Sequence, residues 1–171
     1  MSEDKNTILQ IKDLDITFRT TAGPVHAIRG VNIDLQKGET VAIVGESGSG
    51  KSTIGRSIIR LYDPTAGKIV FNDVDISGKL SRSTSQMLRT QMQMIFQDPM
   101  ASLNPRKKIG DIIGEGLDIH HMYKTKAERE EKIKAILAKV GLSPEHATRY
   151  PHQFSGGQRQ RVGIARALIM N

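Results

Sequence analysis

The stretch Gly45-Glu46-Ser47-Gly48-Ser49-Gly50-Lys51-Ser52-Thr53 constrains this chain more than any other. Val41-Ala42-Ile43-Val44 precedes it, apolar on both faces and rich in branched side chains, as in a strand buried within a parallel sheet. Ser52 to Tyr62 follows, with Ile54, Ile58, Ile59 and Leu61 at helical spacing, and Asp63-Pro64-Thr65-Ala66-Gly67 ends the pattern. Strand, glycine loop and helix in that order form a cradle for a polyphosphate, and Gly45-x4-Gly50-Lys51-Ser52 fits the phosphate-loop pattern. Glycines let the backbone turn its N–H groups into one concavity, and the helix start favours negative charge. In that chemistry Lys51 reaches the β- and γ-phosphates, the Ser52 hydroxyl ligates Mg²⁺, and Thr53 adds a hydroxyl near the α-phosphate. A flexible Gly/Ser linker would have neither the strand before it nor the helix after it. The pattern specifies a nucleoside triphosphate and leaves open which machine uses it.

Around this unit, β-rich sequence runs to about Phe96 and α-rich sequence follows. Leu14, Ile16 and Phe18 alternate with polar residues, as do Val31, Ile33 and Leu35, which predicts two half-buried antiparallel strands joined through Thr20 to Pro24. Lys68 to Phe71 and Val74 to Ile76 read as short strands about the turn Asn72-Asp73, and Ser77 to Ser85 as a loop. A short helix over Gln86 to Gln91 leads into a strand over Met92 to Phe96, which Gln97-Asp98-Pro99 breaks. From Ile109 to Val140 the pattern is helical, with a capping box at Thr125-Lys126-Ala127-Glu128 and Gly141 as C-terminal stop.

A second glycine motif, Phe154-Ser155-Gly156-Gly157-Gln158, opens a helix whose stripe is Val162, Ala165, Leu168 and Ile169. Ser155 with Gln158 is an ordinary capping box. Two glycines in the first turn are not ordinary, because each costs about 0.5–1 kcal/mol against alanine. A helix start that must touch an anion accounts for both.

The net charge of +7 invites a nucleic-acid partner. The last acidic residue, however, is Glu145, and Arg149, Arg159, Arg161 and Arg166 beyond it supply four of the seven charges. With aromatics at 4%, stacking platforms for bases are scarce, and a solvated surface is the favoured reading. Without cysteine there is neither a disulfide framework nor a thiolate metal site. No apolar run is long enough to span a membrane, and the polar, acidic start is unlike a secretory signal, so a cytosolic chain is expected.

The phosphate loop, Gln97 at its strand end and Ser155-Gly156-Gly157-Gln158 together resemble the ATP-binding cassette family, with its P-loop, Q-loop and signature in this order. The resemblance covers the chain from about Ile8 onward. Val44 to Thr53, Phe96 to Arg106 and Phe154 to Leu168 look most like the ATPase subunits of oligopeptide and dipeptide importers. It implies an α/β fold, a P-loop NTPase core with an N-terminal antiparallel β subdomain and a helical lobe, the C-terminal part missing. The corresponding domains are a nucleotide-binding core with its β subdomain over 1–97, a helical subdomain over 98–154, and a signature helix leading back to the core over 155–171.

In this family two ATPase subunits face each other head to tail around ATP and Mg²⁺. The resemblance therefore implies that Gly45, Glu46, Ser47, Gly48, Ser49, Gly50, Lys51, Ser52 and Thr53 hold one nucleotide. Ser155, Gly156, Gly157 and Gln158 would meet the nucleotide held by the partner subunit, Ser155 and Gly157 contacting its γ-phosphate. Gln97 would touch the Mg²⁺ and water site, joining Ser52 as a metal contact. Phe18 is the candidate to stack on adenine, with an ordinary core aromatic as the equal alternative. Implied partners are a second ATPase subunit, identical or sibling, transmembrane permease subunits and, indirectly, a peptide-binding protein, on the inner face of the cell membrane. The family's catalytic Asp and Glu follow the signature helix, and its switch histidine comes later still. No Asp or Glu follows Glu145 and no His follows His152, so no catalytic residue is expected within these 171 residues. The 171 residues alone are then expected to hydrolyse ATP poorly and to expose an unpaired sheet edge beside Val41 to Val44. Three alternatives stay open: a cassette ATPase of DNA repair or translation, another P-loop enzyme such as a kinase, and a nucleotide-binding regulatory module that does not hydrolyse.

Overall fold

The computed structural model describes residues 6–98 and 102–170. Pro99, Met100 and Ala101 of the segment matched to the Q-loop, and Asn171, lie outside the described residues. The chain forms two compact units, Met1–Leu88 and Arg89–Asn171.

The first unit is built on a four-stranded antiparallel sheet in the order β2-β1-β3-β4, with β1 Thr7–Thr20, β2 Gly23–Gln36, β3 Ala66–Phe71 and β4 Val74–Asp75. The expected hairpin is present and longer than its alternation suggested. A bulge explains the difference. Leu9 and Ile11 are buried at odd positions, Leu14 and Ile16 at even ones, and the register shifts between them. Asp13 sits at φ 48 in the gap. One extra residue in a strand flips its side-chain phase, and here it keeps both halves of β1 facing the core. Asn32 braces the bulge, accepting from the Asp13 amide (2.9 Å) and donating to the Asp13 carboxylate (3.2 Å). The predicted turn is also present, with Asn72 at φ 46 and Asp73 at φ 63, the left-handed pair that a tight hairpin turn needs.

Helix α1 spans Lys51–Ile58, with Ile54 and Ser57 buried. It stops short of the predicted Tyr62, because Arg60 takes φ 58. Helix α2 spans Arg82–Gln91, so it begins inside the stretch read as a loop. Ser81 starts it, its hydroxyl accepting from the Thr84 amide at 3.0 Å. Two predicted strands are corrected. Val41 to Val44 and Met92 to Phe96 carry no strand, and Val41 (43% exposed), Val44 (90%) and Ile95 (50%) face solvent. A strand exists only through ladder bonds to neighbours, and among the described residues the sheet holds β1 to β4 alone. Gln97 accordingly lies in an exposed bend and not at a strand end.

The second unit is helical. Helix α3 spans Ile109–His120, α4 Lys126–Lys139 and α5 Gly156–Leu168, with short 3-10 turns at Pro144–Thr148 and Pro151–Gln153. Thr125 caps α4 as predicted, accepting from the Glu128 amide at 3.2 Å. The Glu128 carboxylate reaches one residue further back than a capping box requires, to the Lys124 amide at 2.8 Å. Gly141, at φ 73, ends α4 through bonds from its own amide to the Ala138 carbonyl and from Leu142 to Leu137. Ile112, Ile113 and Leu117 of α3 meet Ile133 and Leu137 of α4 and Val162 and Ala165 of α5 in one apolar cluster. Among the described residues no helix is long and apolar enough to cross a membrane.

Arg129 of α4 grips Asp118 of α3 through two bonds, Nε to Oδ1 at 2.6 Å and Nη2 to Oδ2 at 2.8 Å. The Arg129 bond holds the Asp118 carboxyl below its ordinary range, against the cost of burial and with help from the Tyr123 hydroxyl. A folded-state pKa below the unfolded one makes the pair stabilising above the ordinary carboxylate value, near 4, and the gain is lost as pH falls through the lowered value. Asp118→Asn is expected to cost about 1 kcal/mol at pH 7, a figure reduced for solvent screening at a half-exposed carboxylate. Thermal midpoints at pH 7 and pH 3 check this: the wild type should lose more than the variant on acidification.

Candidate functional site

The loop Gly45–Gly50 winds tightly before α1. Gly48 (φ 80) and Gly50 (φ 92) take left-handed backbone, and the Ser49 amide closes a turn onto the Glu46 carbonyl at 3.2 Å. A Cβ on Gly50 would lie 2.9 Å from the Ala27 carbonyl oxygen and 2.6 Å from Ile28 Cδ1, so this glycine is required by space as well as by φ. The first helical bond runs from the Ile54 amide to the Gly50 carbonyl at 2.9 Å, which leaves the amides of Lys51, Ser52 and Thr53 ahead of the ladder. No side chain caps α1 and its first turn carries no acid. Lys51 folds back over the loop, Nζ donating to the carbonyls of Gly45 (2.9 Å) and Glu46 (2.6 Å) and to the Ser49 hydroxyl (3.3 Å). An ammonium held on the loop beside an uncapped, acid-free helix start makes a cationic cradle, and such chemistry suits a phosphate chain.

The Ser155 motif has the same elements arranged differently. Ser155 caps α5, its hydroxyl accepting from the Gln158 amide at 3.3 Å while the Gln158 side chain accepts from the Ser155 amide at 2.9 Å, as the spacing predicted. Gly156 and Gly157 are exposed, and a Cβ on either would meet nothing within 4 Å. The protein's own packing therefore does not require these glycines. Their amides are the open donors of the turn, and the Ser155 hydroxyl, occupied as an acceptor, still has its proton to donate. Behind the motif, Phe154 is buried and packs edge-on against His146, ring centroids 5.1 Å apart.

Phe18 is half-buried on β1 and packs edge-on against Tyr62, ring centroids 5.0 Å apart, while Arg56 lies over the far ring at 5.9 Å. In the sequence nothing marks Tyr62 and Arg56 as companions of Phe18 except their spacing past the loop. Gln97 is exposed, as are Glu46 and Ser47. Among the described residues no cluster of three His, Cys, Asp or Glu side chains could hold a metal by itself. Single hydroxyl and amide oxygens such as those of Ser52 and Gln97 suit a divalent ion that arrives together with a phosphate chain.

One uncapped helix start beside a folded-back lysine, a second helix start opened by two exposed glycines behind the Ser155 cap, an antiparallel sheet and a helical unit point to a nucleotide-cassette class of protein. The chain belongs to the ABC transporter family, whose model matches residues 28–171. It is 56% identical over 164 residues to the oligopeptide transport ATP-binding protein OppF of Bacillus subtilis, covering 96% of this chain and 54% of that one. It is 52% identical over 173 residues to the dipeptide transport ATP-binding protein DppF of Lactococcus lactis, covering 99% and 55%. The chain thus spans about half the length of the curated relatives it matches. Among solved structures, the dimeric cassette MJ0796 bound to ADP and Pi superposes with a TM-score of 0.85 at 29% identity, covering 96% of this chain and 70% of that one.

Proposed function

We propose that this chain is the ATP-binding part of an importer subunit for oligopeptides or dipeptides, in which ATP binding and hydrolysis drive transport. The observation that carries the nucleotide reading is the uncapped, acid-free start of α1 beneath Lys51. The peptide class rests on the likeness to OppF and DppF.

In this reading Lys51 leaves the loop carbonyls for the β- and γ-phosphates, and the amides of Gly45 to Thr53 take the remaining oxygens. Mg²⁺, when bound with ATP, neutralises charge on the phosphates; Ser52 and Gln97 are its proposed protein contacts. Phe18 offers its ring to adenine. Ser155, Gly156 and Gly157, with Gln158 fixing the cap, receive the γ-phosphate of a nucleotide held by a second ATPase subunit. Residues 1–97 act as the nucleotide-binding core with its β subdomain, 98–154 as the helical subdomain and 155–171 as the signature helix. The permease subunits are the membrane partners, on the inner face, and a peptide-binding protein delivers cargo. None of these 171 residues is assigned as general base.

Gly157→Ala tests the reading. The site has room for the methyl group, so the fold is kept and α5 gains about 0.5–1 kcal/mol. The methyl would stand between the amide and an incoming phosphate, at the cost of one charge-assisted bond, about 1.5–3 kcal/mol. ATP-dependent association of two ATPase subunits, followed by light scattering, should weaken by roughly tenfold or more. Association equal to wild type would refute the role given to this motif.

A further inference from the structure

Helix α1 ends where glycine is the usual residue, and Arg60 stands there instead. The Leu61 amide reaches back to the Arg56 carbonyl at 2.8 Å and the Arg60 amide to the Ser57 carbonyl at 3.0 Å, the paired bonds of a Schellman stop. That stop needs left-handed backbone, and Arg60 takes φ 58. A side chain strains the backbone there, so the guanidinium has to offset a cost. Yet it is only partly used. The Arg60 side chain is 5% exposed, and Nη2 alone is bonded, donating to the Asp63 carboxylate at 2.8 Å and to the Gly78 carbonyl at 3.1 Å. Nε and Nη1 are buried with no acceptor among the described residues, and they carry three of a guanidinium's five N–H donors, one on Nε and two on Nη1. A strap joining the end of α1 to the bend at Gly78 would need Nη2 and nothing more. Buried donors of a charged group are costly until oxygens meet them.

Arg60, Asp63 and Gly78 line one cleft of about 490 Å³ together with Lys79 and Leu80. Lys79 adds a second, exposed cation. The amides of Gly78, Lys79 and Leu80 bond to no acceptor among the described residues. Two cations against the Asp63 carboxylate leave one positive charge, which a monoanion balances and a dianionic phosphate would overshoot. A cleft of this volume suits a small molecule. Helix α1 has eight residues, so about 12 Å of helix separates this end from the phosphate loop.

We propose that the cleft between the end of α1 and the bend at Gly78 binds a small carboxylate, with Arg60 as its anchor. The carboxylate replaces Asp63 on Nη2 and reaches Nη1 beside it, as a two-oxygen fork on the guanidinium. Asp63, whose side chain is 86% exposed, is the wall that swings aside. Lys79 supplies the attraction that the displaced Asp63 opposes.

The test is a titration of the full-length protein with sodium acetate, without ATP and at ionic strength held constant with sodium chloride, followed by amide nitrogen–proton spectra. The resonances of Gly78, Lys79 and Leu80 should shift together and saturate, with half-saturation in the millimolar range. In Arg60→Gly the helix stop receives its preferred residue, so the thermal midpoint should stay near the wild type while the saturable shift is lost. Asp63→Asn removes the competing carboxylate and should lower half-saturation by roughly two- to fivefold, the weight of one exposed ion pair. Should Arg60→Gly fail to fold, Arg60→Lys, which keeps the charge and loses the fork, is expected to raise half-saturation at least several-fold. Acetate producing no saturable shift in the wild type overturns the proposal. So does a wild-type response in Arg60→Gly, or in Arg60→Lys where that is used, and so does Asp63→Asn binding acetate no more tightly than the wild type. A saturable response at 78–80 to sodium phosphate with none to acetate overturns the carboxylate assignment. None of these outcomes bears on Lys51 or Ser155, so the site and the nucleotide reading stand or fall separately.

Discussion

Lys51→Ala is expected to weaken ATP binding by about 10- to 100-fold. One hydrogen bond between charged partners contributes about 1.5–3 kcal/mol. The three donors of the ammonium already have acceptors in the Gly45 and Glu46 carbonyls and the Ser49 hydroxyl. Binding exchanges neutral acceptors for phosphate oxygens, and the gain is the charge. The alanine variant should also bind with a weaker salt dependence, since one cation leaves the cradle. Lys51→Arg should rescue little, because a planar guanidinium does not reproduce a compact ammonium inside a tight loop. Calorimetric titration at two salt concentrations reads all three effects. Unchanged affinity in the alanine variant would remove the basis for the phosphate assignment.

Leu137→Ala is expected to destabilise the helical unit by about 2–5 kcal/mol, the range for emptying a fully buried leucine site. Leu137 is 0% exposed and shares its cluster with Ile112, Ile113 and Leu117 of α3 and with Val162 and Ala165 of α5. Its carbonyl also receives the Leu142 amide that ends α4 at Gly141. The cavity would loosen the base on which α5 presents Gly156 and Gly157. Lys51 and its loop belong to the other compact unit. Urea unfolding should therefore show an early loss of helical protection at 133–137, with ATP affinity kept near wild type. A midpoint shift below about 0.5 kcal/mol would mean that the cluster does not carry this unit.

Local chemistry was legible wherever a few neighbouring residues decide the geometry. Ser155 with Gln158, Gly141 after α4 and Asn72-Asp73 between strands all act over three or four residues and follow from them directly, while Thr125 caps α4 but Glu128 bonds the Lys124 amide and does not close the box. Helix α2 is less legible because Arg82-Ser83-Thr84-Ser85 has no apolar period and Ser and Thr are weak helix formers, and only the Ser81 cap announces it. The Asp13 bulge was hidden because its evidence is a change of phase between two short alternations, fixed by Asn32 on another strand. Val41 to Val44 and Met92 to Phe96 show the opposite limit. Their composition suits buried strands, but strand formation depends on partners elsewhere in the sheet, and β1 to β4 do not supply them. At the candidate site, the glycine pattern of Gly45 to Thr53 pointed to phosphate. The open space above Gly156 and Gly157, which shows that the protein's own packing does not require these glycines, is visible only in three dimensions.

A crystal structure of the full-length protein with Mg·ATP, under conditions that block hydrolysis, is the most direct test. The γ-phosphate oxygens are expected within about 3 Å of Lys51 Nζ and the α1 amides of one subunit, and within the same distance of Ser155 and the Gly157 amide of a second. A γ-phosphate held on the Lys51 side alone, with Gly156 and Gly157 open to water in a fully occupied complex, would contradict it.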